Sequence, residues 1–274
     1  MKKARKNIGI LLLAAVMLLT ALSGCGGKEG TFSGPEAGQS DLEYVQSKGT
    51  LVVGITEFAP IQYREGDAWT GFDADLVTRF AERLGVAVEF VEINWDDKTK
   101  LLENGSIDCV WNGMTMTDKL QNTISCSDPY LSNAQVAVFR TGDVERYLTV
   151  EDCGHVLFAV EAGSTGESIL NGLKYRYTAY TTQMDALQSV QSKQADAAVI
   201  DIVMATYYTG AEQEFHDLTF RLLLNDETIC AGFRAGSDLT EQANDFIGAV
   251  YEDGIIEALA IQYGIEDALL DSGV

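Results

Sequence analysis

Histidine is nearly missing from this chain: His155 and His216 are the only two. They stand far apart, with no Cys or carboxylate at ligand spacing beside them, so a zinc site is not expected. The five cysteines include no C-x-x-C pair, which removes the commonest metal and dithiol motifs. No nucleophile elbow, phosphate loop or metal motif occurs, and no cofactor is expected. Basic residues are also scarce, 19 Lys and Arg against 41 Asp and Glu, for a net charge of -22. Such a surface repels polyanions, so nucleic acid is excluded as a partner. The acidic residues are spread along the chain, so the excess does not indicate disorder.

The N-terminus reverses this balance. Lys2, Lys3, Arg5 and Lys6 precede an apolar run over residues 8–22. A positive start and a short apolar stretch form a secretory signal. The run is too short and too one-sided for a membrane-spanning helix. It ends in Leu22-Ser23-Gly24-Cys25, which resembles the lipobox of bacterial lipoproteins. The resemblance implies cleavage before Cys25 and lipid on Cys25; the alternative is an ordinary signal followed by a chance Cys. Removing four basic residues takes the mature chain from -22 to about -26. Residues 26–40 are rich in Gly and Ser and almost free of large apolar residues, so they read as a tether. The organisation expected is a signal over 1–24, a lipidated Cys and tether over 25–40, and a folded part of roughly 230 residues from Asp41.

The folded part alternates strands and helices. A β-branched apolar run over 50–55 predicts a buried strand. Gly71-Phe72-Asp73 opens a helix whose Phe72, Leu76, Val77, Phe80 and Leu84 fall at helical spacing, with Gly85 as its stop. Strands follow over 86–91, 108–111 and 134–139, with a helix over 97–104 between the first two. A second unit has strands over 155–160, 195–200 and 228–233. A small-residue turn, Gly163-Ser164-Thr165-Gly166, and a helix capped by Thr182 with Asp185 lie between the first two of these. A last helix starts near Asp238, breaking near Gly254. Such alternation marks an α/β domain with mostly parallel sheets. Asp108 and Asp196 occupy equivalent places just before strands, an internal echo best explained by turn or capping roles. Besides Cys25, four cysteines (Cys109, Cys126, Cys153, Cys230) allow three pairings, and the sequence does not choose among them.

Eight segments then appear in a characteristic order: Val53-Gly54, Ala59-Pro60, Trp69–Leu76 (WTGFDADL), Arg83-Leu84-Gly85, Gly105–Asp108 with Gly113–Thr117, Ser127–Tyr130, Glu161–Thr165 and Ala195–Asp201. Together they resemble the polar-amino-acid-binding proteins of ABC transporters, over nearly all of the mature chain. The resemblance implies a two-lobed, type II periplasmic-binding-protein-like clamshell, each lobe a mostly parallel sheet flanked by helices. Lobe one is expected over 41–139 and 233–274, lobe two over 142–230, with crossings near 140–141 and 230–232. The partners implied are a small-molecule ligand, a polar amino acid or amine, and an ABC permease. The membrane is reached through the Cys25 lipid. An extracytoplasmic monomer is expected.

The resemblance also assigns site residues. Asp201 matches the Asp that pairs with the ligand's ammonium, a charge-assisted bond; the alternative is a helix N-cap. Ser164 and Thr165 offer backbone amides to a carboxylate at a helix start. Phe58 matches an aromatic that packs on the ligand, Asn112, Gly113 and Thr115 a cleft-facing polar stretch, and Trp95 and Trp111 are either pocket walls or core. Glu57 is placed to meet a cationic side chain, or to lie solvated in its loop. One departure stands out. Leu120 occupies the position at which the family carries a carboxylate-binding Arg, so either Arg64, Lys119 or the Ser164–Thr165 amides replace it or the ligand lacks an ordinary α-carboxylate. Two rival functions use the same fold. A dehydratase-like enzyme would need a general acid such as Glu161 or Glu167. A sensor would need a separate signalling partner, since no membrane segment or signalling module follows residue 253.

Overall fold

The computed structural model describes residues 34–36, 38–210 and 212–270. The secretory signal, Cys25 and most of the tether lie outside the described residues. The chain begins with α1 (Asp41–Lys48), β1 (Thr50–Ile55) and a hairpin of β2 (Tyr63–Glu65) and β3 (Ala68–Thr70). Then come α2 (Phe72–Leu84), β4 (Ala87–Glu92), α3 (Lys98–Glu103), β5 (Cys109–Thr115), α4 (Asp118–Gln121), β6 (Ser125–Cys126) and β7 (Leu131–Asn133). The second half runs β8 (Gln135–Arg140), β9 (Leu157–Glu161), α5 (Thr165–Leu173), β10 (Arg176–Tyr180), α6 (Gln183–Gln191), β11 (Ala197–Asp201), α7 (Ile202–Tyr208) and β12 (Leu218–Leu223). It closes with β13 (Glu227–Phe233), α8 (Leu239–Glu252) and α9 (Ile255–Tyr263), the last two separated at Gly254 in the left-handed region.

The strands form two main sheets. One has the order β4-β1-β5-β13-β6, with β7 also on β13; the other has the order β10-β9-β11-β8-β12. Each is built alike. Three strands run parallel in the order second-first-third, and an antiparallel strand flanks the third: β13 on β5, β8 on β11. The α/β reading therefore holds, with parallel triplets completed by antiparallel strands. Central strands β5 and β11 are buried at every residue, whereas the outer strands β4 and β10 are half-exposed. That is the pattern of sheets covered on both faces at their centre.

The crossings differ from the expectation. The 134–139 run does not belong to the first sheet: as β8 it pairs with β11 and β12. Conversely Glu227–Ile229 pairs with β7 in the first sheet. The chain thus passes between sheets at Ala134 and over 224–226, not near 140–141 and 230–232. An apolar run shows that a strand is buried, but only its hydrogen-bonding partners say in which sheet.

The internal echo has a geometric cause. Asp108 accepts the Val52 N–H at 2.7 Å while its own N–H donates to the Val52 carbonyl at 2.8 Å. Asp196 does the same with Leu157, at 2.9 and 2.8 Å. Each Asp clips the third strand of a parallel triplet to the first, a structural role. Asp108 also meets Lys48 at 2.6 Å and Arg234 at 3.4 Å, and Arg234 reaches on to Asp41 at 2.9 Å, joining α1 to β5 and β13.

Helix α2 behaves as its spacing predicts: Phe72, Leu76, Val77, Phe80 and Leu84 are all buried, and Gly85 ends it in the left-handed conformation. Gly71, at φ 123°, admits no other residue easily, since a Cβ there would lie 2.5 Å from the Ile61 carbonyl oxygen. Trp111 is fully buried among Phe80, Tyr130, Phe233 and Phe246, which settles its two readings in favour of the core.

Candidate functional site

The carboxyl ends of the central strands of both sheets face a shared cavity. Ligands bind at this end of open α/β sheets. Eight of the nine residues named from the sequence line it: Phe58, Trp95, Asn112, Gly113, Thr115, Ser164, Thr165 and Asp201. Glu57 does not. It is exposed, and its charge is felt by the phenol of Tyr208. Thr56 and Phe58 turn inward, so the residue between them turns out.

The first sheet supplies the floor. Gly113 has φ 59°, and a Cβ there would sit 2.3 Å from the Phe58 ring, so Phe58 lies flat against bare backbone. Phe58 is thereby buried, not exposed as a loop aromatic would be. The Gly113 N–H donates to Asp73 at 2.6 Å, and Tyr130 holds the same carboxylate at 2.9 Å. Burial pushes the Asp73 carboxyl up to about 7 despite those bonds. The Asn112 amide is spent on positioning: its Oδ1 accepts from the Thr56 N–H and hydroxyl, and its Nδ2 donates to the Thr56 carbonyl.

The second sheet supplies carboxylates. Asp201 ends β11 and precedes α7, yet its side chain does not cap that helix. It turns into the cavity instead, 5% exposed, and accepts amide N–H groups from Asn133, Gln135 and Gln183. Burial first, then the Glu227 carboxylate, pushes Asp201 up to about 7 against those hydrogen bonds. Glu227 accepts from the same two amides, Asn133 at 2.7 Å and Gln135 at 2.8 Å, and from Thr115. This amide collar sits where the chain passes between sheets, for Asn133 and Gln135 flank one passage and Glu227 ends the other. Glu161, at the end of β9, is 4% exposed; burial, then the Asp201 charge, pushes it up to about 8.

Among the described residues, one cation faces them. Lys98, 6% exposed, donates to the Trp95 carbonyl at 3.0 Å and across the cavity to the Gly163 carbonyl at 3.1 Å, with its ammonium 4.6 Å from the centre of the Trp95 ring. Burial pulls it down to about 8, opposed by the charges of Glu161 and Asp96. The two sides touch here: a Cβ on Gly163 would lie 2.7 Å from the Asp96 Cα. At the start of α5, the Ser164 hydroxyl accepts the Glu167 N–H, Glu167 takes the Gly163 N–H, and the Ser164 N–H goes to the Glu161 carbonyl. Glu167 is thus committed to capping. Leu120 lines the cavity from α4. Arg64 lies elsewhere, against Trp69 and Glu92, and Lys119 does not line the cavity.

Sequence reasoning missed Lys98, Gln135, Gln183 and Glu227. Asn, Gln and Lys in a helix or strand carry no motif, and a lysine is ordinarily solvated. The residue at 98 stands three after Trp95, a spacing that places both on one helical face, and that was the available signal.

Two α/β sheets joined by two passages, with a polar cavity at their strand ends, make this a clamshell of the type II periplasmic-binding-protein kind. The chain belongs to the bacterial extracellular solute-binding proteins, family 3, whose family model matches residues 51–266. It is 26% identical over 257 residues to the arginine-binding extracellular protein ArtP of Bacillus subtilis, covering 91% of this chain and 95% of that one. Among solved structures it resembles a substrate-binding protein of an ABC uptake transporter from Streptococcus pneumoniae with bound histidine. The TM-score is 0.77 and the identity 27%, over 86% of this chain and 100% of the other. It also resembles AncCDT-1, an ancestral amino acid-binding protein described as a precursor of cyclohexadienyl dehydratase. There the TM-score is 0.76 and the identity 28%, over 82% and 99% of the two chains. Among the described residues no helix is long and apolar enough to cross a membrane.

Proposed function

We propose that this chain is the lipid-anchored, extracytoplasmic substrate-binding component of an ABC importer, and that its cavity captures an amino acid or related amine of net positive charge. The observation that carries the reading is Asp201. Its carboxylate is buried at the cavity, forgoes helix capping, and has only neutral amides as hydrogen-bond partners. A buried anion of this kind is costly until a cation reaches it. With the Glu227 carboxylate sharing two of its amides and Lys98 the one cation among the described lining residues, the cavity favours a ligand that brings positive charge. Leu120 gives no guanidinium to an α-carboxylate. That group is held instead by the third N–H of Lys98 and by the Thr165 amide at the start of α5. The histidine-bound and arginine-binding relatives support the same ligand class. The order of charge, apolar run and small residues before Cys25 supports the lipid anchor.

A thermal-shift panel of the twenty amino acids, polyamines and small quaternary amines tests this, since a bound ligand raises the unfolding midpoint by mass action. Basic amino acids should stabilise the protein, and glutamate and aspartate should not. Stabilisation by dicarboxylates alone would overturn the charge argument.

One observation favours a second reading, a dehydratase-like enzyme on the same scaffold. The Glu161 carboxyl, up at about 8 and facing Lys98, is protonated at neutral pH as a general acid must be. Chemical turnover of a cavity ligand, followed by mass spectrometry of the small molecule, would establish it; tight binding with the ligand recovered intact supports transport.

A further inference from the structure

We propose that Cys126 and Cys230 are a redox-active pair that closes to a disulfide in the extracytoplasmic compartment. β6 and β13 run antiparallel with Cys126 opposite Gly232. Cys230, two residues back along β13, is therefore the diagonal neighbour of Cys126 on the same face, and its thiol holds that of Cys126 below the ordinary cysteine range. Both belong to one apolar cluster that also holds Met114 and Ile124. A Cβ on Gly232 would lie 2.7 and 2.9 Å from those two side chains, so this face is tightly filled beside the two cysteines. The other described cysteines have no such neighbour. Cys109 lies in β5 in the main core, and Cys153 packs beneath the second sheet. All four are free thiols in this structure, and of the bridges left open by the sequence the contact selects Cys126–Cys230 alone, with Cys109 and Cys153 unbridged.

The two thiols are unequal in a way that orders the chemistry. Cys230 is fully buried, while Cys126 is half-buried and its thiol is held below the ordinary range by the neighbouring Cys230, which favours its thiolate. Cys126 attacks one sulfur of an external disulfide, forming a mixed disulfide and releasing one thiol. The Cys230 sulfur then attacks Cys126, closing the bridge and releasing the second thiol. Two protein thiols are oxidised, one small-molecule disulfide is reduced to two thiols, and the two protons pass to the thiols released. Membership of an extracellular family places the pair where disulfides persist.

The bridge would have a defined mechanical effect. Both passages between the sheets, at Ala134 and over 224–226, lie inside the 126–230 loop, as does every strand of the second sheet. Both ends of the loop are anchored in the first sheet. The bridge therefore ties together the outgoing and returning stems of the second sheet without spanning the cavity. Stability should rise through the long closed loop, while the cavity stays free to open.

The test equilibrates the full chain with oxidised glutathione, blocks remaining thiols, and maps peptides by mass spectrometry. The expected result is a Cys126–Cys230 linked peptide lighter by two hydrogen atoms, with Cys109 and Cys153 blocked only after unfolding. The unfolding midpoint should rise by roughly 5–15 °C and fall back with dithiothreitol. Cys230→Ser should trap glutathione on Cys126, and Cys126→Ser should lose both the linked peptide and the shift. The proposal is overturned if both thiols remain blockable after oxidation, if glutathione stays on Cys126 in the wild type, if another cysteine pair links, or if the shift persists in Cys126→Ser.

Discussion

Acidification should weaken binding of a cationic ligand by a predictable amount. Asp201 sits at about 7 because burial and the Glu227 charge oppose its ionisation. At pH 7 the protein without ligand therefore carries this proton about half the time. A ligand ammonium beside Asp201 favours the carboxylate, so the complex has the lower pKa and binding expels the proton. The free protein then holds more protons than the complex below pH 7, and affinity rises with pH through that window. The slope approaches a factor of about 10 per pH unit, so the affinity at pH 5 should be roughly 50–100-fold below that at pH 7. Glu161 and Lys98, both at about 8, hold their protons across this window and add little slope. Isothermal calorimetry with arginine at pH 5, 6, 7 and 8, in buffers of different ionisation enthalpy, gives both the affinity and the number of protons released. About one proton should be released per ligand near pH 6. Asp201→Asn should remove the slope and cost roughly 2–5 kcal/mol at pH 7, the range for deleting one partner of a buried charge pair. Equal affinity at pH 5 and 7 in the wild type, or a retained slope in Asp201→Asn, would refute the assignment.

Two further substitutions probe the cavity and its frame. Leu120→Arg should add a charge-assisted pair worth about 1.5–3 kcal/mol to a ligand α-carboxylate, raising the affinity for a free amino acid over its carboxamide at least tenfold; an unchanged ratio would place the carboxylate away from α4. Arg234→Ala should destabilise the fold by about 3–5 kcal/mol, read from urea unfolding, because it strips a partner from buried Asp41 and Asp108. Arg234→Lys should recover less than half of that loss, since one ammonium cannot reach both carboxylates and the Ile107 carbonyl.

Local sequence determined the elements whose signals are local. The β-branched run over 50–55 became β1 with the same ends. Helix α2 kept its spacing and its Gly85 stop, and Thr182 caps α6 by accepting the Asp185 N–H, as the Thr–Asp spacing implies. Asp201, named from the order of motifs around it, lines the cavity. What tertiary structure decided is everything set by distant partners. β8 is as apolar as a first-sheet strand, and only its hydrogen bonds to β11 and β12 assign it to the second sheet. Nothing local separates Glu57 from Thr56 as a cavity residue; the Asn112 amide, 56 positions away, turns Thr56 inward. Lys98 reads as one more solvated lysine until the Gly163 carbonyl, 65 positions on, closes over it. Asn133, Gln135 and Glu227 meet at Asp201 because both passages between the sheets bring them there, and Gln183 joins them from the start of α6. Periodicity records which face of an element is buried. The charge balance of this cavity depends on which buried faces meet, and that is fixed only when the two sheets are assembled.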